Sequence, residues 1–163
     1  MALTPEHPFI GTIHSALDRV YGARLVSAAL FGSVARRTAR PDSDVDLLVV
    51  VEALPAGRRA RFATFDAVEQ EIGPALRQLA AEGITTEVLP VLRSPAELRI
   101  ATPLMLDLTE DAVLLVDRGG CLAHVLDDLR TRLRRLGARR VFDAEGWYWD
   151  LKPTYRRGEI VEI

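Results

Sequence analysis

Leu30-Phe31-Gly32-Ser33-Val34-Ala35-Arg36-Arg37, a short polar stretch, and then Ser43-Asp44-Val45-Asp46-Leu47-Leu48-Val49-Val50-Val51 decide the fold. Leu25 to Phe31 is an apolar run that predicts a buried strand. Gly32 and Ser33 turn the chain toward a short helix at Val34-Ala35-Arg36-Arg37. A helix start presents backbone N–H groups to a phosphate, and glycine allows a ligand close to the backbone. Alone, a Gly-Ser pair is an ordinary strand-to-helix turn. The eleven residues 33 to 43 are short for a parallel crossover, so the next strand is predicted antiparallel to the first. Asp44 then lies beside Gly32.

In this second strand Asp44, Asp46, Leu48 and Val50 share one face, and Val45, Leu47, Val49 and Val51 the other. Both faces are apolar beyond Asp46, which predicts a central strand. Two carboxylates on one face repel each other and lose hydration on burial. A divalent cation relieves both effects. Residues two apart on a strand are roughly 7 Å apart, and their side chains can converge on metals between them. The competing reading is a strand that enters from solvent with exposed acids.

With those residues in view, the pattern Phe-Gly-Ser-x-Ala-Arg at Phe31 to Arg36 and Ser-Asp-x-Asp-Leu at Ser43 to Leu47 resembles the DNA polymerase beta-like nucleotidyltransferase superfamily. It looks most like small prokaryotic members, including the minimal nucleotidyltransferase antitoxins paired with a HEPN-domain toxin. The resemblance implies attack by an acceptor hydroxyl on the α-phosphorus of a nucleoside triphosphate, ATP by family habit, with pyrophosphate leaving. It implies one or two Mg²⁺ ions on Asp44 and Asp46, and a nucleotide held by Gly32, Ser33, Arg36, Arg37 and Ser43. Arg37 stands where relatives often carry glycine. A third acid follows on the family's next core strand. Glu87 resembles it by position, as metal ligand or general base; otherwise it is a surface acid on an edge strand. The resemblance also implies a toxin–antitoxin setting with a HEPN-type toxin as partner and acceptor. Two other readings stand beside it: a transferase acting on a small molecule such as an aminoglycoside, and a binding protein that uses the fold without catalysis.

The remaining elements fit a mixed, partly antiparallel sheet flanked by helices: an α/β (α+β) nucleotidyltransferase core over residues 1–117. Residues 118–163 add a C-terminal helix and a β-hairpin, packed with the core as one domain. Thr4-Pro5-Glu6 reads as the cap and first turn of a helix ending at Gly22. Residues 58 to 82 read as a long helix that Gly73-Pro74 kinks or splits. Ile84 to Leu92 reads as a third strand, Ser94-Pro95-Ala96-Glu97 as a capping box, Thr102 to Leu108 as a short helix, and Ala112 to Val116 as a fourth strand. Asp107, Asp111 and Asp117 fall at element ends, where capping or solvated acids are common, and receive little functional weight. A last helix carries a stripe from Leu122 to Leu136 and ends at Gly137. The tail, Arg140 to Phe142, the turn Asp143-Ala144-Glu145-Gly146, then Trp147-Tyr148-Trp149, predicts a hairpin. It suits a cover over the core, a dimer surface, or a base-stacking platform that brings Lys152 near phosphate.

At 163 residues the chain is one domain's length, enough to bury roughly two-thirds of its unfolded surface. A formal charge of -2 argues against a general nucleic-acid coat while leaving room for a local basic patch. Cys121 is the single cysteine, so neither an intramolecular disulfide nor a cysteine zinc cluster forms. No apolar run has the length of a membrane span and no signal-peptide pattern opens the chain, so the expectation is a cytoplasmic protein. A homo-oligomer is compatible with all of this.

Overall fold

The structure is a computed structural model that describes residues 2–144 and 146–160. The chain runs through α1 (Pro8–Tyr21), β1 (Leu25–Phe31), α2 (Gly32–Ala35), β2 (Val45–Val51), α3 (Arg58–Ala81) and β3 (Val88–Arg93). A 3-10 turn (Pro95–Arg99) leads to α4 (Pro103–Asp111), β4 (Val113–Asp117), α5 (Cys121–Leu136) and the hairpin β5 (Arg139–Asp143) and β6 (Gly146–Asp150). Four strands form one sheet in the order β3-β2-β1-β4. β1 is antiparallel to both β2 and β4, and β2 is parallel to β3. The sheet is thus mixed, and the short connection after Gly32 does fold back antiparallel.

Each face of the sheet has its own core. Val45, Leu47, Val49 and Val51 of β2 meet Ile13 and Leu17 of α1 and Phe65, Val68 and Ile72 of α3. Leu48 and Val50 meet Leu106 and Leu108 of α4 and Leu122, Leu126 and Leu129 of α5. The alternation read from β2 assigns both faces correctly. Fully burying each such aliphatic side chain contributes about 1.5–3 kcal/mol. In β1 the pairing shifts between Leu25 and Ser27, so Leu25 and Ala28 share a core although they are three residues apart. The shift turns Ser27 to donate its hydroxyl to Asp117 Oδ1 at 2.6 Å.

Two boundaries differ from expectation, and the long helix is not split at Gly73-Pro74. α1 begins at Pro8, not after Thr4; His7 is its cap, with Nδ1 accepting the Phe9 N–H at 3.2 Å. A helix started at Pro5 would carry Pro8 in its interior, where the ring clashes with the preceding turn. Thr4 instead closes a turn, its carbonyl accepting the His7 N–H. α3 is continuous through Pro74. Pro74 and Gln70 are exposed, so water can serve the carbonyl that proline cannot. β3 begins at Val88 rather than Ile84. Ile84 is buried, but the Thr85 N–H donates to the Pro41 carbonyl and the Thr86 hydroxyl to the Ser43 carbonyl. This segment pins the loop that carries Asp44 instead of extending the ladder.

Candidate active site

The end of β1, the start of β2 and the entry to β3 meet at one end of the sheet. Phe31 pairs with Asp46 across the β1–β2 ladder, which lays the Asp46 carboxylate over Gly32. Gly32 has φ +68, and a Cβ built on it would fall 1.9 Å from Asp46 Oδ2. Glycine is therefore required twice, by backbone conformation and by the space the carboxylate fills. Ser33 follows in the first turn of α2, half-buried.

Asp44 lies one residue ahead of β2 and is exposed. Its Oδ1 accepts the Glu87 N–H at 3.3 Å, while the Glu87 carbonyl accepts the Val45 N–H at 2.8 Å. Val45 pairs with Val88, so Glu87 enters β3 directly beside Asp44. Its side chain is exposed at the sheet edge. Partial burial raises the Asp46 carboxyl above its usual range, the Asp44 charge raises it further, and Arg36 pulls it down. The two aspartates thus crowd negative charge at the mouth of the strand.

The structure treats the basic residues differently from one another. Arg36 follows α2, and its Nη1 donates to Asp111 Oδ2 at 3.2 Å. Its guanidinium also lies 4.6 Å from the centre of the Trp147 ring. Arg37, at the position where relatives often have glycine, takes φ +60, and its guanidinium turns outward onto Glu6. The Ser43 hydroxyl accepts the Arg40 N–H at 2.9 Å and closes the loop ahead of Asp44. Gly32, Ser33, Asp44 and Asp46 therefore sit together, with Glu87 adjacent through its backbone. Arg37 and Ser43 are engaged in holding the loop.

The acids given little weight in the sequence are structural hubs. Asp107 Oδ1 accepts both indole N–H groups, from Trp147 at 3.0 Å and Trp149 at 2.9 Å. Asp111 accepts from Arg36 and, at 3.0 and 3.2 Å, from both terminal nitrogens of Arg140. Asp117 accepts the N–H groups of Leu122 and Ala123 and so caps α5. A partial signal existed: Asp107 and Asp111 are four apart on one face of α4. Their partners lie too far along the chain for spacing to reveal them.

Residues 12–99, more than half of the chain, match the nucleotidyltransferase domain family. The chain belongs to that family. The nucleotidyltransferase is 28% identical over 132 residues to a candidate protein adenylyltransferase of Methanocaldococcus jannaschii, a match covering 78% of this chain and 82% of the relative. Among solved structures, it resembles spectinomycin adenyltransferase AAD(9) from Enterococcus faecialis, crystallised with ATP and spectinomycin. That likeness has a TM-score of 0.57 at 14% identity and covers 80% of this chain and 66% of that one. A toxin–antitoxin crystal structure with AMP-PNP matches with a TM-score of 0.48 at 17% identity, over 77% of this chain and 87% of that one. The AAD(9) likeness shows a shared fold.

The donor set suits a hard divalent cation. Among the described residues no three His, Cys, Asp or Glu side chains gather into a metal cage. Two carboxylates with crowded charge, and open coordination left for phosphate and water, are what Mg²⁺ accepts. Among the described residues no helix is long and apolar enough to cross a membrane.

Proposed function

We propose that this nucleotidyltransferase moves AMP from ATP onto a hydroxyl of a protein acceptor, with Asp44 and Asp46 as its metal-binding pair. The observation that carries this reading is the Asp46 carboxylate seated on Gly32, beside Ser33 and within two residues of Asp44. A Mg²⁺ ion on Asp44 and Asp46 would neutralise charge on the phosphates and on the oxygens that attack and leave. Gly32 and Ser33 would hold the triphosphate through backbone N–H groups and the serine hydroxyl. Arg36 would meet the β- and γ-phosphates as a planar, charged donor. Glu87 would accept the proton of the acceptor hydroxyl, directly or through one water. The acceptor oxygen then bonds to the α-phosphorus as the bond to pyrophosphate breaks.

The likeness to the candidate protein adenylyltransferase, which matches over most of both chains, supports the reading of a protein acceptor. A HEPN-type toxin is the acceptor suggested by the fuller wording of the motif, Phe-Gly-Ser-x-Ala-Arg at Phe31 to Arg36 and Ser-Asp-x-Asp-Leu at Ser43 to Leu47, which resembles the minimal nucleotidyltransferase antitoxins. Incubation with α-labelled ATP, Mg²⁺ and cell extract separates a labelled protein band from a labelled small molecule. Asp44→Asn and Asp46→Asn are each expected to reduce transfer to the enzyme-free background while the far-UV spectrum stays native. Full transfer by both variants would discard the assignment.

A further inference from the structure

The C-terminal hairpin lies against Arg36 through the Trp147 ring. Trp147 pairs with Phe142 in the β5–β6 ladder, and its indole N–H is held by Asp107 Oδ1 at 3.0 Å. Arg140 lies 5.2 Å from the same ring. These anchors fix the indole independently of Arg36, which then lies 4.6 Å from the ring centre. Stacking on an aromatic face restrains a guanidinium without cancelling its charge. The carboxylate that also touches Arg36 is shared: Asp111 Oδ2 accepts from Arg140 at 3.2 Å as well.

We propose that Trp147 is a positioning residue: its indole face holds the Arg36 guanidinium oriented for the triphosphate. The inference rests on the reading of Arg36 as a phosphate ligand. An unrestrained arginine gives up much rotamer freedom when it clamps a phosphate, and one already stacked gives up less. The hairpin is thereby part of the nucleotide site, although it lies beyond the residues 12–99 that define the family match.

Calorimetric titration of the full chain with MgATP tests this. Trp147→Leu, which keeps apolar bulk but removes the ring, is expected to weaken binding about three- to tenfold. Trp147→Phe, which restores an aromatic face, should return most of the loss. Arg36→Ala should weaken binding at least as much, and Trp147→Leu should add nothing in the Arg36→Ala background. Additive losses, or wild-type affinity in Trp147→Leu alongside a weakened Arg36→Ala, overturn the positioning role and leave the phosphate role of Arg36 standing. Wild-type affinity in Arg36→Ala, or wild-type protein that binds no MgATP, overturns both. A second measurement leaves Trp147 in place. In Trp149→Phe, whose remaining tryptophan is Trp147, MgATP should change the fluorescence. Arg36→Ala should abolish that change, and a change that survives it overturns the proposal.

Discussion

Alanine at position 32 would have to hold φ +68 and place its Cβ 1.9 Å from Asp46 Oδ2. The carboxylate cannot stay where it is. Gly32→Ala is expected to cost about 1–3 kcal/mol of stability from backbone strain. Transfer should fall far more than stability, because the displaced group is a proposed metal ligand. Urea denaturation and the labelled-ATP assay read the two effects separately; undiminished transfer would mean that Asp46 works from a different position. This small unit was legible in the sequence because all its parts lie between Phe31 and Asp46. Asp111 was not, since its partner Arg140 is 29 residues away and its role appears only once α4 and the hairpin face each other. Arg37 was half legible: its departure from the family's glycine was visible, but its turn onto Glu6 was not.

At the scale of elements, local chemistry decided which predictions succeeded. The capping box at Ser94 forms as read, with the Glu97 carboxylate accepting the Ser94 N–H at 2.8 Å. What the sequence could not show is that Glu97 also accepts Arg61 Nη1 at 2.8 and 3.0 Å, tying the start of α3 to the turn after β3. Arg61, and then the Ser94 backbone, lower the Glu97 carboxyl from 4.5 to about 2. A lowered acid stabilises the fold at pH values above its unfolded range and loses that contribution as pH falls through the folded value. The two side chains are 22% and 28% exposed, so solvent screening reduces the contribution to about 1–2 kcal/mol. Unfolding free energies from urea melts at pH 6 and pH 2.5 should therefore differ less in Glu97→Gln than in the wild type, by most of that amount, since pH 2.5 still lies just above the folded value. An identical pH dependence would show that the pair contributes nothing. The start of β3 was misread for a related reason: Ile84 to Thr86 have strand-like residue types, but the Ile84 N–H donates to the Leu79 carbonyl at the end of α3, and Thr85 and Thr86 bond to Pro41 and Ser43 in the loop ahead of β2.

For the whole molecule, the arrangement of charges determines how firmly the tail joins the core. Trp149 and Leu151 pack against the α4–α5 side of the sheet, and Arg140 lays its guanidinium between Asp107 and Asp111. The Arg140 and Asp111 side chains are only 11% and 10% exposed. Removing Asp111 from so enclosed a pair leaves Arg140 to its longer contact with Asp107 at 3.5 Å, a cost of up to about 3–5 kcal/mol. That figure assumes the rest of the structure stays assembled. The hairpin offers another outcome, because it can lift away and return Arg140 to water. The destabilisation is then capped at the free energy that docks the hairpin, and the two-cluster core keeps its own stability. Asp111→Ala is accordingly expected to speed amide exchange in β5 and β6 about a hundredfold or more, since 3 kcal/mol corresponds to that ratio. Exchange in β1 and β2 should change far less. Hydrogen–deuterium exchange resolved by segment reads both regions at once. Equal acceleration in the hairpin and the central strands would mean that they open together as one cooperative unit. Unchanged exchange in both would remove the Asp111–Arg140 pair from any account of what holds the tail.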